Sequence, residues 1–126
     1  MSLAALRQDQ EKAPDKSNQT FLRLDNFLHE NYLHGITRES VAKEFRLTPS
    51  YVSRLYAEFG EGSFHETLRR LRMEHAVVLL KNTTLSIDEI TVACAYSSTT
   101  FFIAGFKRIY GVPPGRFRRK YGPSSV

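Results

Sequence analysis

The chain has 126 residues, 41% hydrophobic and 25% charged, with a formal charge of +5; this length builds one compact unit or a pair of very small ones and excludes several large domains. The basic balance points first to polyanionic partners, while the single cysteine, Cys94, excludes an internal disulfide and a cysteine-rich zinc site. No stretch approaches the roughly 18 apolar residues of a membrane span, and MSLAALRQDQ lacks a signal peptide's basic and apolar regions, so a soluble cytoplasmic protein without a membrane partner is expected.

Residues 1–18 are polar, mixed in charge and interrupted by Pro14. They read as a flexible leader or linker, with room for a short helix over Leu3 to Glu11. A linker at this place suggests that the chain is the C-terminal portion of a longer protein. From Thr20 the apolar residues take helical spacing, with Phe21, Leu24, Phe27, Leu28 and Tyr32 on one stripe that Gly35 ends.

Thr37 then stands ready to cap a short helix that buries Val41, Ala42 and Phe45. Thr48 caps another, with Pro49 at the first helical position, where its missing N–H does no harm. This second helix buries Val52, Leu55 and either Tyr56 or Phe59, and it stops in the Gly60 to Gly62 region.

Phe64 to Lys81 is the longest periodic segment, with Leu68, Leu71, His75, Val78 and Leu79 along one side and Arg69, Arg70 and Glu74 on the other. Ser86 and Glu89 have capping-box spacing and open a helix that buries Ile90, Ala93 and Cys94. Ser97 or Ser98 caps a further helix with Phe101, Phe102, Phe106 and Ile109 in its core face and Gly111 at its end. Pro113-Pro114 sets the start of a last short helix, GRFRRKY. No sustained period-two alternation and no Asn-Gly or Asp-Gly turn occurs, so the fold class is all-α with about seven helices.

The short-helix pair occurs twice. Val41 matches Ile90 and Leu47 matches Tyr96 at one constant spacing; after one inserted residue, Val52 matches Phe102 and Tyr56 matches Phe106. A capped helix, a tight turn and a second capped helix form the helix-turn-helix unit. A helix that reads DNA must expose small polar residues at its start, because its first turn enters a major groove about 12 Å wide. Ser50, Tyr51, Ser53 and Arg54 in the first copy, and Ser98, Thr99 and Thr100 in the second, have that character.

Charge follows the same division. Residues 1–60 carry eight Lys/Arg and eight Asp/Glu, whereas residues 61–126 carry ten and five. The tail from Lys107 onward, with Arg108, Arg116, Arg118, Arg119 and Lys120, has no acidic residue.

RLRMEHAVVLLKNT (Arg70 to Thr83) resembles the linker-helix pattern of the DNA-binding region of AraC-type bacterial transcriptional regulators. AYSSTTFF through FK (Ala95 to Lys107) and GVPPGRFR (Gly111 to Arg118) resemble that family's second helix-turn-helix signature. The likeness covers Phe21 to Tyr121. It implies seven helices in two homeodomain-like helix-turn-helix subdomains, 19–63 and 83–122, joined by a rigid linker helix over 64–82, with a tail at 123–126. Two recognition helices then enter successive major grooves of double-stranded DNA. RNA polymerase, and an effector or dimerisation domain ahead of this region, are the further partners implied.

By position in the family, Ser50, Tyr51, Ser53 and Arg54 take base-facing places in the first unit, and Thr99, Thr100, Ile103 and Ala104 in the second. Thr48, Ser97, Ser98, Lys107, Arg108 and Arg116 are assigned to phosphates. Arg54 suits a bidentate contact with guanine O6 and N7. The second unit departs from the pattern: Ile103, Ala104 and Gly105 stand where a polar residue and an arginine are usual, which leaves Thr99 and Thr100 for direct contacts and Ile103 or Ala104 for a thymine methyl.

No catalytic constellation is expected, and no enzyme activity, cofactor or metal. His29, His34, His65 and His75 lack zinc-site spacing, Cys94 falls on an inner helix face, Asp88-Glu89 is a helix start, and no Walker or GxGxxG loop is present. The rival from another class is a basic helical module that binds protein, or RNA without sequence preference.

Overall fold

The computed structural model describes residues 3–123, with the backbone alone for residues 3–15. The outermost residues of the expected leader and tail, 1–2 and 124–126, lie outside the described residues, as do the side chains of 3–15. Seven helices occur among the described residues: α1 (Leu3–Asn31), α2 (Arg38–Glu44), α3 (Pro49–Phe59), α4 (Phe64–Asn82), α5 (Ile87–Ala93), α6 (Thr99–Tyr110) and α7 (Pro114–Tyr121). No strand is found among the described residues, so the fold class is all-α. The first helix begins at Leu3, well before the apolar stripe that starts near Thr20.

Local chemistry sets most helix starts. Thr37 and Ser86 each close a capping box: the Thr37 hydroxyl accepts from the Ser40 amide, and the Ser86 hydroxyl from the Glu89 amide. Thr48 and Ser98 cap α3 and α6 by accepting from the amides of Tyr51 and Phe101. Each such cap satisfies an amide that the first helical turn leaves unpaired and stabilises by about 1 kcal/mol.

The chain divides into two compact units, and the division falls inside α4. Unit 1 comprises Met1–Asn31 and Ile36–Leu68; unit 2 comprises Tyr32–Gly35 and Arg69–Val126. In unit 1, Phe21, Leu24 and Leu28 of α1 are buried with Val41, Ala42, Val52, Leu55, Tyr56 and Phe64. The Tyr56 ring meets Phe21 edge-on at 4.9 Å between centroids and Phe64 at 5.6 Å. Its hydroxyl donates to Asp25 Oδ1 at 3.0 Å, so the one polar atom of this core ring is satisfied.

Unit 2 is built on Met73, Ala76, Leu80, Ile90, Cys94, Phe102 and Phe106, with Tyr110 and Phe117 packed against that cluster. Gly105 lies on the inner side of α6: a Cβ there would come to 3.0 Å from Met73 Cε. The interior glycine therefore admits a close approach of Met73 to α6, which offsets some of its propensity cost of about 1 kcal/mol. Arg72 donates from Nε to the Tyr32 carbonyl at 2.7 Å and from Nη2 to the His34 carbonyl at 3.2 Å, fixing the chain where it leaves α1.

Several expected core positions face solvent instead. Phe101 is 74% exposed and Ile109 is 43% exposed. With about 100° of turn per residue, burying Phe102 and Phe106 directs their neighbours elsewhere. Ala93 is exposed and Thr91 takes its place inside α5, while Val92 also faces out. In α4 the single stripe expected through Leu68, Leu71, His75, Val78 and Leu79 is not kept, since Val78 is 51% exposed. Phe64, Thr67 and Leu68 are buried in unit 1, but Met73, Ala76 and Leu80 are buried in unit 2, in a different register along the helix.

Candidate nucleic-acid interface

The two units repeat one turn. After α2 the Leu47 amide donates to the Ala42 carbonyl at 2.8 Å and Arg46 to Lys43 at 3.1 Å; after α5, Tyr96 donates to Thr91 at 3.0 Å and Ala95 to Val92 at 3.0 Å. Arg46 and Ala95 both take the left-handed conformation, with φ of 57° and 65°. This is the Schellman arrangement, with a non-glycine residue at its αL position in both copies. Each turn then delivers the chain to a hydroxyl cap, Thr48 or Ser98, and to the second helix of the pair. Val41, Val52 and Tyr56 are buried in unit 1, and Ile90, Phe102 and Phe106, their partners in the repeat, are buried in unit 2.

On α3, Ser50 and Arg54, two of the residues expected to face bases, are exposed. The Arg54 guanidinium lies 5.4 Å over the Tyr51 ring, which supports the cation without blocking its outer donors. Tyr51 itself is half-buried, and its hydroxyl shares a 3.3 Å hydrogen bond with Ser17 Oγ of α1. Ser53 Oγ accepts from Arg38 Nη1 at 3.0 Å, joining α2 to α3. Arg38 also pairs with Glu39 at 3.1 Å; a backbone amide bond and then the Arg38 guanidinium hold the Glu39 carboxyl below the usual range.

On α6, Thr100 and Ala104 are exposed, and Lys107 and Arg108 continue the same side of the helix toward its end. Thr99 donates its hydroxyl to Asp88 Oδ1 at 2.7 Å, tying α6 to α5. Ile103 is half-buried against the unit 2 core, so of the two residues expected at a thymine methyl only Ala104 is exposed. Ser97 is exposed beside the cap, whereas Ser98 is half-buried and its hydroxyl accepts from the Phe101 amide at 3.3 Å. Arg116 and Arg119 are exposed on α7.

Arg118 differs from its neighbours: it donates to the carbonyl oxygens of Leu80, Thr83 and Leu85. This arginine closes the C-terminal end of α4 and holds the chain beyond it, so its place in a run of basic residues conceals an internal role. Two further residues lie beside the expected positions: Arg38, bonded to Ser53, and Phe101, exposed on α6 where the sequence placed it in the core. The repeat carries the signal for Phe101, because it aligns with Tyr51 as the third residue of the second helix. Arg38 has no such signal: its bond to Ser53 is tertiary.

Among the described residues no group of three or more His, Cys, Asp or Glu is placed to hold a metal ion, and no helix is long and apolar enough to cross a membrane. Burial pushes the Cys94 thiol up to about 11, the opposite of what a nucleophile needs.

A family model described as a helix-turn-helix domain matches residues 41–120. The uncharacterized HTH-type transcriptional regulator YijO of Escherichia coli is 34% identical over 84% of this chain and 38% of its own length. YpdC, another such regulator of Escherichia coli, is 35% identical over 76% of this chain and 34% of its own length. Among solved structures, the C-terminal domain of AraT, a response regulator from Geobacillus stearothermophilus, superposes with a TM-score of 0.79 at 32% identity, covering 84% of this chain and 88% of that one. The chain thus spans less than two fifths of the length of either of these two regulators.

Proposed function

Since the chain belongs to the AraC-type helix-turn-helix family, whose domains bind DNA in transcriptional regulators, we propose that it is the DNA-binding portion of a longer, effector-responsive regulator. Its activity is sequence-specific binding of double-stranded DNA in the regulation of transcription. The first turns of α3 and α6 enter successive major grooves. The observation that carries this reading is the repeated turn: two helix pairs, joined through Arg46 and Ala95 by the same hydrogen bonds, each present a capped second helix.

Arg54 reads a base in the first half-site, with guanine as its natural partner, and Ser50 contacts the same turn of DNA. Thr100 and Ala104 face bases in the second half-site. Thr48, Ser97, Lys107, Arg108 and Arg116 neutralise phosphates, setting register without reading sequence. The domain carries no chemistry of its own. The rest of the regulator, of which this chain is the smaller part, supplies effector sensing or dimerisation, and RNA polymerase is the partner through which binding acts on transcription. Such a protein works in the cytoplasm.

Selection of bound sites from a random duplex pool tests the proposal. The expected product is a site with two preferred segments one helical turn apart, about 34 Å, preferred over random duplex by ~10³ or more. Binding that ranks no sequence and disappears as salt rises is the behaviour of a merely basic module and would refute it.

A further inference from the structure

The apolar ring of Phe101 is 74% exposed on a helix whose other phenylalanines, Phe102 and Phe106, are fully buried. It occupies the third position of α6. Thr100, Phe101 and Ala104 fall within an arc of about 100° on the helix, and all three are exposed. They place a methyl group, an aromatic edge and a second methyl at the end of the helix proposed to enter the groove. No side chain longer than threonine offers a hydrogen bond on that face until Lys107 and Arg108, two turns on. In the repeat Phe101 corresponds to Tyr51, whose ring is half-buried and whose hydroxyl is bonded to Ser17; Phe101 has no such cover.

We infer that Phe101 is a specificity-determining residue that reads thymine in the second half-site by packing its ring edge, with Ala104 and the Thr100 methyl, against the thymine C5-methyl group. This rests on the proposed DNA-binding function. In the major groove the thymine methyl is the one apolar feature among the base edges, and side chains without donors discriminate through it. The neighbouring Lys107 and Arg108 favour a polyanion over an apolar protein surface. The missing arginine at position 104 is thereby explained as a change of reading mode, from guanine to thymine.

The test uses the duplex selected by this chain from a random pool, resynthesised with deoxyuridine at one thymine at a time. At one thymine or more in the α6 half-site, loss of the methyl is expected to weaken binding about fourfold, the equivalent of one buried methyl group, and Phe101→Ala is expected to show no such dependence there. Because Phe101 lies outside the core, Phe101→Ala should keep its thermal transition, and Phe101→Leu should retain part of the thymine dependence. At the same position 5-bromodeoxyuridine should crosslink to a peptide containing Phe101 on irradiation. Equal uracil losses in the wild-type chain and Phe101→Ala, or no loss in either, would overturn the inference while leaving DNA binding intact, and unchanged affinity in Phe101→Ala would make the ring a protein-docking residue instead. A chain that selects no duplex at all overturns both this inference and the function on which it rests.

Discussion

Thr99 donates its hydroxyl to Asp88 Oδ1 at 2.7 Å, so the first residue of α6 is bonded to the first turn of α5 while its neighbour Thr100 stays exposed. Two adjacent threonines, equal as sequence, are thereby unequal in how freely their hydroxyls can meet a partner. Thr100→Val is expected to weaken binding of the selected duplex by about 1 kcal/mol, the usual net value of one hydrogen bond, whereas Thr99→Val should change affinity less than Thr100→Val does. Both substitutions keep the branched shape. Titration by fluorescence anisotropy decides the matter; a larger loss from Thr99→Val would show that this hydroxyl turns to DNA.

What could be read from the sequence was local. Thr37, Thr48 and Ser86 act within three residues of themselves, and each caps the helix expected of it. The repeat was legible because Val41 and Ile90, or Tyr56 and Phe106, occupy matching buried places. Burial of particular residues was harder to read. Phe101 and Phe102 are alike in hydrophobicity, and only the tertiary contact of α6 with the rest of unit 2 decides which ring enters the core. The face of α4 changes register where unit 1 gives way to unit 2, which no single helical period describes. Arg118 looks like Arg119 until the carbonyl oxygens of Leu80, Thr83 and Leu85 are seen around it.

The Arg118 geometry sets up a comparison within one short helix. Arg118→Met keeps the aliphatic stem but removes donors to three carbonyls, and should lower unfolding stability by about 2 kcal/mol, as for other hydrogen bonds from a charged group. Arg116→Ala, at an exposed site, should stay within about 0.5 kcal/mol of the wild type and lower the slope of log affinity against log salt by about one. Urea denaturation and salt-dependent binding measure the two effects. Equal stability losses would mean that Arg118 is another surface charge.

Ala95 sits at φ 65°, a conformation that glycine adopts without strain and alanine does not. Ala95→Gly is expected to stabilise unit 2 by about 1 kcal/mol. The same kind of change at Ala104, in the interior of α6, should cost about 1 kcal/mol in propensity. Opposite shifts of the thermal transition are the expected outcome, and a loss in both variants would contradict the strain assigned to the turn.

Burial raises the Cys94 thiol from 9.0 to about 11. The folded pKa lies above the unfolded one, so the stability contributed by the protonated thiol is fully present below about 9 and is lost as pH rises through 11. Wild-type stability should therefore fall more steeply than that of Cys94→Ala between these limits, whatever offset the smaller side chain introduces. Parallel profiles would mean that the thiol ionises equally in both states.

Ala104 stands in the repeat where unit 1 carries Arg54, and both positions are exposed on the second helix of their pair. If this equivalence extends to DNA, a guanidinium at 104 reaches the major-groove edge as proposed for Arg54, with Lys107 one turn further along to hold the backbone. Ala104→Arg should then redirect the second half-site toward guanine at one position, gaining about 1–3 kcal/mol of discrimination there. It should also relax the proposed preference for thymine, because the longer side chain would displace the apolar contact inferred for Phe101. Site selection with the variant reads both changes at once. A uniform rise in affinity across all sequences would show that the new arginine meets a phosphate, and unchanged affinity and preference would show that position 104 does not face DNA.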